Sequence, residues 1–116
     1  MAATHEDANL IMQIVSWGSA EGLNDAVAAI WSDSFDPERA QADDANIRKV
    51  LAWGEIIGTF VKNGLLDRDL VFDMFAVEEM WKRVGPAARK SREHSGVPRL
   101  WENFELLASQ VPAGVA

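Results

Sequence analysis

The hydrophobic positions of this chain fall into stripes at three- and four-residue steps, and the densest pattern lies between residues 44 and 63. Ile47, Val50, Leu51, Gly54, Ile57, Gly58 and Val61 make one stripe, and Trp53, Ile56 and Phe60 make a second beside it. That is the spacing of a helix apolar on more than one face. Such a helix needs neighbours on several sides, so it is expected to be the central member of a bundle. Asp43 and Asp44 precede it, where carboxylates complement the positive end of the helix dipole. Asn63 and Gly64 end it, glycine accepting the left-handed conformation of a C-terminal cap. Only the strip Arg48, Ala52, Glu55, Thr59 and Lys62 is suited to water, and the small-xxx-small run Gly54 to Gly58 predicts a close helix crossing.

Weaker stripes flank this one. Thr4 and Asp7 resemble a capping box, and Leu10, Ile11, Ile14, Val15 and Trp17 follow at helical spacing up to Gly18. Ser19 is expected to cap a second helix with Leu23, Val27, Ile30 and Trp31 inward and Phe35 closing the face. Asp36-Pro37 predicts a short turn. Beyond Gly64, Asp67 caps a helix with Leu70, Met74, Val77, Trp81 and Val84, which Gly85-Pro86 should break or kink. The polar run that follows reads as a solvated extension or a binding surface. Pro98 should open the last helix, with Leu100, Trp101, Phe104, Leu107, Ala108 and Val111 inward. No period-two alternation marks a strand.

The expected fold is therefore all-α, a single-domain bundle of four to six helices around the central helix at about 44–63, with residues 1–4 and 113–116 as frayed tails. Its expected core is Val50, Trp53, Ile57, Phe60, Leu70, Met74, Trp81, Trp101 and Phe104. At 116 residues and 48% hydrophobic composition the chain can bury a core of its own.

Charge changes the picture more than composition does. The net charge is −7, which disfavours nucleic acid and anionic lipid as partners. Residues 1–60 hold ten acids and three bases, whereas residues 82–99 hold six bases and one acid, so an acidic side and a small basic one are expected. With no cysteine, disulfides and thiolate chemistry are excluded, which fits a cytoplasmic protein. No segment has the length of a membrane span.

Candidate chemistry is sparse. His5 and His94 have no second histidine at metal spacing, and both read as surface side chains. Asp67, Asp69, Asp73 and Glu78 imitate a calcium loop, but Val71 and Phe72 stand where an oxygen ligand and a glycine are needed. No catalytic residue, cofactor or metal is expected, and the chain does not read as an enzyme. Five tryptophans, one in each main predicted helix, exceed what one small core needs, and tryptophan is enriched at binding hot spots. Ile14, Trp17, Trp31 and Phe35, with the basic Arg89, Lys90 and Arg92, are the expected partner-binding residues. The expected function is a non-catalytic interaction module forming a homodimer, the acidic half of one copy facing the basic segment of the other. The alternatives are an acidic regulator imitating nucleic acid, through the carboxylates from Glu21 to Asp44, and an enzyme without a recognisable motif.

GLLDRDLV at 64–71, Trp81 after it and ENFELLA at 102–108 resemble a bacterial all-helical domain family of unknown function, over roughly residues 47–108. The resemblance implies a helical fold and assigns no catalytic residue.

Overall fold

A computed structural model describes residues 2–112, and among them six α-helices and no strand. They are α1 (His5–Ala20), α2 (Leu23–Trp31), α3 (Ala45–Lys62), α4 (Arg68–Met74), α5 (Val77–Ser95) and α6 (Glu102–Ser109). Met1 and residues 113–116, part of the expected tails, lie outside the described residues; Thr4 belongs to no loose tail, because it caps α1.

The expected central helix is central. Asp44 caps α3 by accepting the Asn46 and Ile47 N–H groups, and α3 buries Ile47, Val50, Leu51, Trp53, Gly54, Ile57 and Gly58 against α2, α5 and α6. Trp53 meets Phe75 edge-on at 5.0 Å, and Trp81 meets Phe104 at 5.1 Å, arrangements that aromatic quadrupoles favour.

The start of α6 shows how the crossing is built. The Cβ that Gly58 lacks would stand 2.2 Å from the Asn103 carbonyl oxygen, and that of Gly54 would enter the Phe104 ring. Both glycines are therefore the room in which α6 sits. The last helix starts at Glu102 and not at Pro98, and its N-cap residue, Trp101, supplies no side-chain cap. Glu55 supplies it instead. Its Oε1 accepts the backbone N–H groups of Asn103 at 2.9 Å and Phe104 at 3.1 Å, two of the donors that a helix start leaves without partners. Thr59 Oγ1 accepts the Asn103 side-chain amide at 2.9 Å. The strip expected to face water is thus partly the seat of α6.

Three other expectations are corrected. Gly18 does not end α1; it lies inside the helix, where a Cβ would meet the Leu23 side chain at 2.9 Å, and the turn is made by Gly22 at φ 83°. The helix expected from Asp67 to Val84 is two helices, parted at Phe75, whose extended backbone turns its ring onto Trp53. Met74 is consequently 50% exposed rather than in the core. Pro86 does not break α5, because Val84, Gly85, Ala87 and Ala88 around it are all buried, and their packing outweighs a cost of about 3 kcal/mol for an interior proline. Phe60, Leu70 and Trp101 pack against the core while remaining partly exposed.

Candidate interaction surface

Helix α1 lays Ile11, Ile14 and Gly18 on the core, three positions within about 60° of one another on the helical wheel. The same wheel puts Met12 and Val15 on one flank of that stripe and Leu10 and Trp17 on the other. Met12 is 62% exposed and Val15 is exposed beside it. Ala8, Met12, Val15 and Ser19 follow steps of four, three and four, the spacing of a helix-to-helix seam.

Asp7 latches the start of α1 to α4. Its Oδ2 accepts the Thr4 N–H at 2.7 Å and the Thr4 hydroxyl at 2.9 Å, while its Oδ1 accepts the Asp67 N–H at 2.9 Å. The Thr4 backbone N–H, then the Asp67 N–H and the Thr4 hydroxyl, hold the Asp7 carboxyl below its ordinary pKa. Asp67 in turn caps α4 through the Leu70 N–H.

The seven expected partner-binding residues do not form one surface. Ile14 is 5% exposed and faces its own core, and Phe35 is half-buried against that core, so neither is available to a partner. Trp17 and Trp31 are 41% and 39% exposed, and the Arg83 guanidinium lies 5.6 Å from the Trp31 ring centre. Arg89 is exposed. Lys90 Nζ donates to the Glu38 carbonyl and, at 3.2 Å, to the Ala40 carbonyl, clasping the α2–α3 connection. Arg92 donates from Nε to the Leu100 carbonyl at 2.7 Å and pairs through Nη1 with Glu105 at 2.8 Å. The polar segment after Pro86 is therefore largely a set of internal braces. The reason is the unbroken α5, which carries these side chains back over the chain instead of out from it.

Among the described residues no three His, Cys, Asp or Glu side chains are grouped to hold a metal ion, and no helix is long and apolar enough to cross a membrane. His5 and His94 are exposed.

A helical domain whose polar side chains serve mainly as caps, latches and braces is the class these observations define. The chain belongs to the DUF4760 family, a domain of unknown function whose profile matches residues 3–111. The match reaches beyond the 47–108 segment that carried the resemblance. No curated protein and no solved structure matches the chain.

Proposed function

We propose that this domain is a non-catalytic interaction module of the cytoplasm that pairs with a second copy of itself along the outer flank of α1. The exposure of Met12 and Val15 at seam spacing carries the reading, since they form a continuous apolar flank, whereas the other exposed large apolar residue of α1, Trp17, lies on the opposite flank. Two α1 flanks related by a two-fold axis close on each other and leave no unpaired surface. One short seam buries less than the ~1,200–2,000 Å² of a standard interface, so the dimer is weak. The acidic-to-basic pairing expected between copies is not retained, because Lys90 and Arg92 are engaged within their own chain. Imitation of nucleic acid draws little support, as Asp36 and Asp44 accept backbone N–H groups at helix and turn starts. The non-catalytic part of the reading rests on the same use of polar side chains as structural partners.

Sedimentation across the micromolar range tests it. The expected mass rises above that of one 12.8 kDa chain, and Met12→Asp returns it to one chain with stability changed by less than about 0.5 kcal/mol, as for an exposed site. A single-chain mass at every concentration ends the reading. A dimer indifferent to both Met12→Asp and Val15→Asp places the contact elsewhere.

A further inference from the structure

Between the α1–α2 turn and the first half of α3 lies an apolar pocket of about 200 Å³, walled by Trp17, Leu23 and Ala52, with the largely buried Trp53 beneath them. Arg48 and Lys49 stand at its rim, with Glu21. Their position is unusual for this half of the molecule. Residues 1–60 contain only three bases; Arg39 is paired with Asp36 at 3.6 Å. Neither Arg48 nor Lys49 has a carboxylate within ion-pair distance among the described residues, although ten acids share the segment with them. The turn makes room for one of the two cations: a Cβ on Gly22 would stand 3.1 Å from Lys49 Nζ.

We propose that this pocket binds a small amphiphilic carboxylate, its apolar part against Trp17 and Trp53 and its head between Arg48 and Lys49. Two cations without a carboxylate partner, Arg48 reaching only the Asp43 carbonyl at 3.5 Å, against one carboxylate at the rim favour an anionic head over a neutral or cationic one. An apolar lining with a few polar groups at the mouth is the usual make-up of a small-molecule site, and a volume below the ~300–1,000 Å³ of such sites limits the ligand to a short chain or a single ring. Trp17 also gains, because an occupant covers indole surface that the unliganded chain leaves in water. The pocket lies on the Trp17 flank of α1, away from Met12 and Val15, so it stands or falls independently of self-association.

Titration of the full, nitrogen-15-labelled chain with octanoate tests the site, each of the five tryptophans giving its own indole signal. The expected result is a saturable shift of the Trp17 and Trp53 signals. Octylamine and octanol bind more weakly, and Lys49→Glu, a change at an exposed position, lowers octanoate affinity by about three- to tenfold while leaving octanol unchanged. Equal affinity for octanoate and octylamine overturns the proposal, as do shifts spread over all five indoles or no saturation. An octanoate affinity unaffected by both Lys49→Glu and Arg48→Glu overturns it as well.

Discussion

The seat of α6 and the seat of α1 attach a helix to the same core by opposite means. At the α3–α6 crossing, backbone lies on backbone where Gly54 and Gly58 lack side chains, and Glu55 satisfies the donors at the start of α6. The start of α6 is incomplete without α3. Helix α1 carries its own capping box, Thr4 with Asp7, and is joined to the rest by three buried residues and the Asp7 link to Asp67. It is a finished helix resting on a surface. The contrast teaches that attachment depends less on how apolar a stripe is than on whether its polar residues serve their own helix or the neighbouring one. Free energies of local opening differ widely within one fold, and here they are expected to divide along this line.

The sharpest way to break the contrast is in the two apolar stripes. Ile57, fully buried on α3, should cost about 2–5 kcal/mol when truncated to alanine, lowering the midpoint of global denaturation. Ile11→Ala on α1 should fall at the lower end of that range and show mainly as faster hydrogen exchange within α1. An equal loss for the two, with no local signature, would make α1 part of the same cooperative unit as α3. Gly58→Ala comes next. The added methyl meets the Asn103 backbone and must push α6 away, at about 1–3 kcal/mol, and thermal denaturation should reveal it. Unchanged stability would mean that the crossing is looser than its glycines imply. Glu55→Ala leaves two N–H groups at the start of α6 without their acceptor and should cost about 1–2 kcal/mol, whereas Glu55→Gln, which keeps an oxygen acceptor, should cost less; calorimetry of the two variants decides it.

Acid should act on the other side of the comparison. The Asp7 carboxyl has its pKa lowered in the folded chain, so its contribution is fully present above the unfolded carboxylate value and is lost as pH falls through the lower folded one. Below about pH 4, amide exchange in α1 should therefore accelerate before exchange in α3 does, and Asp7→Asn should remove most of that difference. The effect is the smallest of the four, because the group is only partly buried and water screens it.

Much of the architecture was legible in the sequence because burial follows period. Val50, Trp53, Ile57, Trp81 and Phe104 stand on helical stripes and are buried; Thr4, Asp44 and Asp67 cap helices as their positions imply. What escaped has a common cause, the action of one segment on another. Phe75 leaves the helix to reach Trp53, Pro86 is tolerated because its neighbours are packed, and Lys90 and Arg92 turn inward to carbonyls from distant or later segments. Glu55 looked like a wet residue because its partners lie 48 and 49 positions away. The pocket beside Trp17 was equally hidden, since Leu23 lies on the stripe of α2 and Lys49 on none of the stripes of α3.

That separation sets an order of events during folding. Trp101, the residue that opens α6, sits at φ 62°, a left-handed conformation uncommon for so large a side chain, and offers no cap of its own. Its eight-residue helix is too short to persist alone in water. The initiation signal for the last helix is thus written half a chain upstream, on a helix that must already exist to present it. As a peptide, residues 98–112 should be coil by circular dichroism. In the whole chain Glu55 supplies the acceptor that the isolated segment lacks, so α6 is expected to form only once α3 is in place.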